Sequence, residues 1–142
     1  MMGKGTATLV RVNEWIVDER RRELGALLDE LNAIDISKTN LETQLESEQR
    51  AATLDPEIAG VVYGPYADAT RHQIQYFNSL LESKEEEITL AQENLGEAYR
   101  ELKKFEIARD NHRKKYLEDI IRRDQRELDE LALQAINFRE RK

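Results

Sequence analysis

The sequence lacks several features on which many proteins depend. It contains no cysteine, which excludes disulfide bonds and thiolate metal sites. Only 6% of its 142 residues are aromatic and 36% are charged, a composition typical of long helices and coiled coils rather than of compact globules. No apolar run approaches the roughly 18 residues of a membrane-spanning helix, and the first ten residues lack the apolar core of a secretory signal. We therefore expect a cytoplasmic protein without direct membrane insertion.

Patterns for catalysis and cofactor binding are absent as well. The two histidines, His72 and His112, lie forty residues apart, so they do not form a two-histidine metal motif. Gly60 and Gly64 have no lysine after them, so they do not form a phosphate-binding loop. The acidic run at residues 85–87 is better explained as a solvated helix face than as a metal site. We predict no enzymatic activity, no cofactor and no bound metal.

Two long stripes of apolar residues dominate what is present. In each stripe the residues recur at alternating steps of four and three, the spacing of a coiled-coil seam. The first stripe is Leu24, Leu27, Leu31, Ile34, Lys38, Leu41, Leu45, Glu48 and Ala52. The second is Phe77, Leu81, Lys84, Ile88, Ala91, Leu95, Ala98, Leu102 and Phe105.

Prolines and glycines separate the two stripes. Asp55-Pro56 ends the first helix, and Gly60, Gly64 and Pro65 follow within ten residues. A connection this short makes the helices antiparallel neighbours. The predicted fold is an all-α, two-helix antiparallel coiled-coil hairpin that forms a single domain over residues 1–142. Helix one covers about residues 8–54 with Thr6 or Thr8 as its N-cap, the connection about 55–65, and helix two about 66–139.

Helix two is the longer helix, so its C-terminal part should overhang helix one from near Tyr116. The apolar stripe shifts by one position after Phe105 and continues into this part as Leu117, Ile121, Asp124, Leu128, Leu131, Ala135 and Phe138. At the start of helix one, the stripe carried backwards keeps Val10 and Val17 but leaves Leu9, Val12 and Trp15 outside it. Apolar side chains beyond the reach of a two-helix seam indicate an interaction surface.

Charge is distributed unevenly along the chain. Residues 1–22 carry a net charge of +2, residues 23–97 carry −12 and residues 98–142 carry +3. A hairpin gathers both basic segments at one end, which favours docking to a protein partner there. Nucleic acid binding is disfavoured because acidic residues are interleaved with the basic clusters and the whole chain carries −7.

Three stretches resemble the FliJ family of the bacterial flagellar type III export apparatus. They are residues 9–22 (LVRVNEWIVDERRR), 98–106 (AYRELKKFE) and 125–132 (QRELDELA). The resemblance covers nearly the whole chain and is most similar to the alphaproteobacterial branch. It implies a fold similar to the central stalk of rotary ATPases. The terminal end is then expected to enter the hexameric export ATPase ring, and the end near the connection to contact the membrane export gate.

Candidate site residues follow from the basic clusters, the overhang and this resemblance. The candidate ATPase-docking residues are Arg11, Trp15, Arg20, Arg21, Arg22, Arg122, Arg123, Leu128, Asp129, Glu130, Leu131 and Phe138. Phe77 and Leu81 match a phenylalanine and a leucine on the family's gate-facing surface. Lys84 and Ile88 stand where the family has alanine and histidine, and Lys84 completes the candidate gate-facing set. Phe77 and Leu81 also fit a core role, which the seam favours.

The resemblance implies a non-enzymatic stalk and activator of the flagellar export ATPase, which works at the flagellar base in a motile cell. It couples the ATPase to the export gate and can escort export chaperones. The alternatives are a coiled-coil scaffold and an export chaperone of a related type III system, the injectisome. The uncovered overhang and basic terminal end favour the first role, since a scaffold would be more uniform along its length.

Overall fold

Two long helices account for nearly all of the described chain. The computed structural model describes the backbone of residues 2–141 and the side chains of residues 5–57 and 60–141. Helix α1 covers Met2–Leu54 and helix α2 covers Pro56–Glu140. Within residues 2–141 there is no β-strand. The two helices pack against each other, which confirms the predicted all-α hairpin.

The connection is shorter than predicted. We expected it to cover Asp55 to Pro65, but Asp55 alone lies between the helices. Pro56 takes the first helical position, where its fixed φ is favourable and its missing N–H would have had no helical partner. Glu57 adds a carboxylate in the first turn, where it interacts favourably with the helix dipole. Helix α1 likewise begins at Met2, before the predicted Thr6 or Thr8, because no proline or positive φ interrupts its first turns.

Pro65 lies inside α2 instead of near its first turn. A proline in a helix leaves the carbonyl four residues earlier without a donor, which here is the carbonyl of Val61. Val61 is 77% exposed and Pro65 is exposed too, so water can hydrate that carbonyl. A Cβ at Gly60 or Gly64 would meet open space, so neither glycine is required for close packing. Gly60, Gly64 and Pro65 therefore lower the stability of this part of α2, but the helix continues through them.

Contacts within the chain form two units. The middle unit is Asp18–Glu97, and the terminal unit is Met1–Val17 together with Ala98–Lys142. The single domain over residues 1–142 stays a prediction. Each unit contains segments of both helices, because a two-helix hairpin contains no central core that all residues share.

In the middle unit the helices run antiparallel. Glu30 of α1 forms an ion pair with Lys84 of α2. Later α1 residues lie beside earlier α2 residues, since Leu41 lines a crevice with Gln73 and Phe77. The seam positions are half-buried or buried as the heptad spacing predicts, with Glu48 as the exposed exception. The α2 seam also extends towards the connection through Ile74, Thr70, Ala67 and Tyr63.

Candidate docking surfaces

The packed part of the terminal unit is built from small and polar side chains. Val10 and Val17 are 2% and 3% exposed, and Asn13 between them is 9% exposed. The Asn13 side chain donates a hydrogen bond from Nδ2 to the carbonyl of Leu9 at 2.7 Å. On α2, Ala98 is buried, and the seam continues through half-buried residues as far as His112. The buried asparagine favours one alignment of the seam, because a shifted alignment would bury its amide against apolar side chains.

Apolar side chains of α1 outside this seam remain exposed. Leu9, Val12 and Trp15 are 41%, 47% and 62% exposed, as expected from the position of the seam. Trp15 is the chain's single tryptophan. A tryptophan with most of its surface in water is a common anchor of protein interfaces. Arg11 is exposed on the same segment of α1.

The C-terminal segment of α2, residues 121–140, is exposed along its whole length. Every residue from 121 to 141 is exposed. Its large apolar residues are Ile121, Leu128, Leu131, Leu133, Ile136 and Phe138, each more than half exposed. Asp129 accepts a hydrogen bond from Gln125 Nε2 at 3.3 Å, and Glu130 is exposed. A helix with this much apolar surface in water is suited to a protein partner.

The basic clusters are partly neutralised by neighbours on their own helix. Arg20 pairs with Glu23 at 3.0 Å and Arg22 pairs with Glu19. Arg21 pairs with Asp18 at 3.6 Å, and Arg122 pairs with Asp119 at 3.6 Å. These side chains are largely exposed, so the pairs contribute little to stability and can exchange for a partner's carboxylates.

The structure distributes the candidate ATPase-docking residues over both units. Arg11 and Trp15 share the terminal unit with Arg122, Arg123 and residues 128–138, whereas Arg20, Arg21 and Arg22 belong to the middle unit. The first group holds the exposed apolar residues. Its members lie on two segments of the unit and are together named the terminal docking surface, whose docking role stays a prediction: Arg11, Trp15, Arg122, Arg123, Leu128, Asp129, Glu130, Leu131 and Phe138.

The candidate gate-facing residues lie on the seam of the middle unit. Phe77, Leu81 and Lys84 are all half-buried. Lys84 donates hydrogen bonds to the carboxylates of Glu30, on the other helix, and of Glu87, with its Nζ 3.1 Å from Glu87 Oε2. These bonds raise the pKa of Lys84 above its ordinary value. The positive charge of Lys84 on the seam is therefore balanced by the carboxylate of Glu30 on α1.

Tyr76 is a member of this region that the sequence did not single out. Its ring is tilted by 55° against the Phe77 ring, with the ring centroids 5.9 Å apart, and Tyr76 is 63% exposed. Both rings line a crevice between the helices together with Ser37, Asn40, Leu41, Gln44 and Gln73. The sequence feature that could have identified Tyr76 is its position as an aromatic residue directly before the seam residue Phe77. Tyr76, Phe77, Leu81 and Lys84 are called the mid-hairpin surface below.

A second crevice lies next to the connection. It is lined by Glu48, Ala51, Ala52, Asp55, Val62, Tyr63 and Tyr66. The Tyr63 hydroxyl is buried and makes no hydrogen bond within the described part of the chain. Sequence reasoning missed this crevice because it placed residues 62 and 63 in a loop.

The described residues form neither a metal cluster nor a membrane-spanning helix. No group of three or more His, Asp or Glu side chains among them could hold a metal ion. Neither helix, within the same part of the chain, is long and apolar enough to cross a membrane.

Comparison with protein families identifies the chain. The model of the family described as "Flagellar FliJ protein" matches residues 7–141. No curated protein and no solved structure matches the chain. The match includes both helices, the terminal docking surface and the mid-hairpin surface, which confirms the resemblance found in residues 9–22, 98–106 and 125–132. The chain therefore belongs to the FliJ family of flagellar proteins associated with type III export.

Proposed function

We propose that this chain is a non-enzymatic stalk that activates the hexameric flagellar export ATPase, in the cytoplasm at the base of the flagellum. The observation that carries the proposal is the exposed C-terminal segment of α2. Its apolar residues lie on a helix that continues beyond the packed seam, in a unit that also exposes Trp15 and Arg11. A helix of this kind fits the axial opening of a ring better than a flat surface.

Activation requires no chemistry from the chain itself. The subunits of an ATPase ring alternate between conformations, and a helix that binds some of them more tightly shifts their populations. Leu128 and Leu131 supply apolar contact area whose contribution to binding resists salt. Arg122 and Arg123 mainly influence encounter rate and orientation, and their contribution weakens with salt.

The mid-hairpin surface is proposed to contact the export gate. Tyr76 is largely exposed beside the half-buried Phe77, so a partner can reach the aromatic pair without separating the helices. Lys84 adds a positive charge held at the seam by Glu30. One stalk would then connect the ATPase to the gate, and the same exposed faces could escort export chaperones.

The test of the ATPase role is removal of residues 125–142. All of the removed residues up to 141 are exposed, so the remaining hairpin should stay helical by circular dichroism while ATPase stimulation is lost. The replacement of Arg20, Arg21 and Arg22 by glutamate should cause a milder loss that depends on salt. A steady-state titration of the purified ring measures both. Full stimulation by the shortened chain would refute the proposal and return the protein to the scaffold class.

The gate contact is tested by Tyr76→Ala and by Phe77→Ala with Leu81→Ala. Tyr76→Ala should weaken binding to the purified gate domain with little change in the melting temperature, because most of its side chain is in water. The double variant should weaken binding and also lower the melting temperature. Unchanged gate binding per folded molecule in both variants would exclude this surface as the gate contact.

A further inference from the structure

The crevice next to the connection, called the connection crevice below, takes no part in the proposed function. It lies between the end of α1 and the early turns of α2, within the middle unit, and has a volume of about 290 Å³. Pockets that enclose small molecules span roughly 300–1,000 Å³. The connection crevice therefore has room for one long side chain of a partner rather than for a larger ligand.

The lining of the connection crevice combines carboxylates with tyrosine rings. Glu48 and Asp55 line it from α1 and from the connecting position, and both are exposed. Tyr63 and Tyr66 line it from α2 and are half-buried, and Val62 adds apolar surface. Carboxylates attract a cation, and so does the face of a tyrosine ring. The matching ligand is a side chain with an apolar stem and a positively charged end, which describes lysine and arginine.

The surroundings of the connection crevice favour a cation as well. Residues 46–70 contain five carboxylates and one basic residue, Arg50, which gives a net charge of −4. The carbonyl groups of a helix's last turn have no helical partner, and positive charge near them is stabilising. The last turn of α1 contains no basic residue, whereas the first turn of α2 carries Glu57. The end of α1 therefore lacks the cation that its own dipole favours.

The Tyr63 hydroxyl selects arginine from the two basic side chains. It is buried and makes no hydrogen bond within the described part of the chain, and a buried polar group without a partner costs free energy. A guanidinium has five N–H donors in one plane, so it can donate to a carboxylate and to a hydroxyl at once and can stack on an aromatic ring. An ammonium group is a point charge that is more strongly hydrated.

We propose that the connection crevice binds an arginine side chain presented by a partner protein. The guanidinium pairs with Glu48 and Asp55 and donates a hydrogen bond to the Tyr63 hydroxyl, while the stem packs on Val62 and Tyr66. The crevice is separate from the terminal docking surface and from the mid-hairpin surface. The proposal therefore goes beyond the stalk role and does not rest on it.

The probe for this site is the capped tripeptide acetyl-Gly-Arg-Gly-amide, added to the full chain with its five tyrosines isotope-labelled for NMR. The signals of Tyr63 and Tyr66 should shift and saturate, whereas that of Tyr116, in the terminal unit, should stay in place. The same peptide with citrulline, the neutral isostere of arginine, should bind about tenfold more weakly because its end carries no charge. Absence of saturable shifts, or equal binding of the citrulline peptide, would overturn the proposal. Tighter binding of the corresponding leucine peptide would also overturn it and assign the crevice to an apolar side chain.

Two glutamates of α1 provide a matched pair of variants. Both Glu48 and Glu46 are exposed, but only Glu48 is among the described residues that line the crevice. Glu48→Gln should raise the Kd of the arginine peptide by about fivefold, whereas Glu46→Gln should leave it nearly unchanged. Equal effects of the two variants would mean that the peptide is attracted to the acidic surface in general, which would refute a site in the crevice.

Tyr63→Phe removes the hydroxyl and keeps the ring. It should weaken binding of the arginine peptide, while the melting temperature of the free chain stays the same or rises, because the hydroxyl has no hydrogen-bond partner in the described part of the chain. A lower melting temperature with an unchanged Kd would reject the contact with arginine. These titrations contain neither the ATPase nor the export gate, so their failure would leave the proposed function standing.

Discussion

Two stretches of α2 carry apolar stripes of the same spacing in opposite environments. In the middle unit, Phe77 and Leu81 are half-buried and Ile88 is 7% exposed, because α1 packs along this stretch. In the terminal unit, Ile121 and Leu128 are 67% and 61% exposed. The spacing of a stripe thus defines which face of a helix needs a partner. Whether that partner is the chain's own helix depends on how far α1 extends.

The polar residues on the two stripes differ as well. Lys84 interrupts the middle stripe, and its ammonium group is paired with Glu30 on α1. Asp124 interrupts the terminal stripe at an exposed position, where its charge remains hydrated without help from α1. A charge within a seam is tolerated when a group opposite it balances it. The middle seam is therefore complete within the chain, whereas the terminal stripe is not.

The largest expected difference between the two stripes is in the loss of stability when an isoleucine is shortened to alanine. Ile88→Ala should lower the free energy of unfolding by about 2–5 kcal/mol, because it removes a buried side chain from the seam. Ile121 lies at the equivalent position on the exposed stripe. Ile121→Ala should change the free energy of unfolding by less than about 0.5 kcal/mol. Urea denaturation followed by circular dichroism measures both values in the monomeric concentration range. Equal losses would mean that the last part of α2 is packed within the chain.

A smaller effect is expected at Pro65. Alanine is about 3 kcal/mol more favourable than proline inside a helix, and loss of the proline's constraint on the unfolded chain offsets about 0.4–1 kcal/mol of that. Pro65→Ala should therefore raise the free energy of unfolding by about 2 kcal/mol. Gly25→Ala is the reference, with an expected gain of about 1 kcal/mol at a position with open space around the new Cβ. No gain from Pro65→Ala would mean that residues 56–65 are not a continuous helix.

The smallest effect concerns the pH dependence of the Lys84 ion pair. The pKa of Lys84 is raised in the folded chain by hydrogen bonds to Glu30 and Glu87. Its contribution to stability is fully present below the unfolded lysine pKa of about 10.4 and is lost as the pH rises through the higher folded pKa. As the pH rises from the unfolded lysine pKa through the folded one, the free energy of unfolding of the wild type should fall relative to that of Lys84→Met.

Lys38 provides the control for that measurement. It is also a half-buried seam lysine, but its ion pair at 3.8 Å is with Glu42 on its own helix. The free energy of unfolding should be measured at several pH values for wild type and both variants. The difference between wild type and Lys84→Met should change more with pH than the difference between wild type and Lys38→Met. Identical pH profiles of wild type and Lys84→Met would contradict an ion pair across the seam.

The seams could be predicted from the sequence because burial in a two-helix coiled coil follows spacing alone. Leu24, Leu31 and Ile88 occupy the predicted positions, and the stripe carried back through α1 locates Val10 and Val17 correctly. The exposure of Trp15 follows from the same rule. These predictions needed no knowledge of how the units are arranged.

The length of the connection could not be predicted in this way. Gly60, Gly64 and Pro65 are helix breakers by propensity, but packing of Tyr63, Ala67 and Thr70 on the seam keeps the segment helical. The spacing of these three residues is visible in the sequence, but helix propensity alone favours a break at the glycines and Pro65. Tyr76 and the buried Tyr63 hydroxyl were missed because heptad spacing describes the seam and says little about its edges.

The single-residue connection at Asp55 restricts how the chain can change in length. An inserted residue rotates everything after it by about 100° around the helix axis, and one linking residue cannot absorb that rotation. An insertion in either packed helix would turn its stripe away from the seam. Whole heptads added to both helices preserve the stripe, whereas a change of length after residue 121 leaves the packed seam undisturbed. Related chains should therefore differ by multiples of seven residues within the packed hairpin, a restriction that the packing does not impose on the C-terminal end.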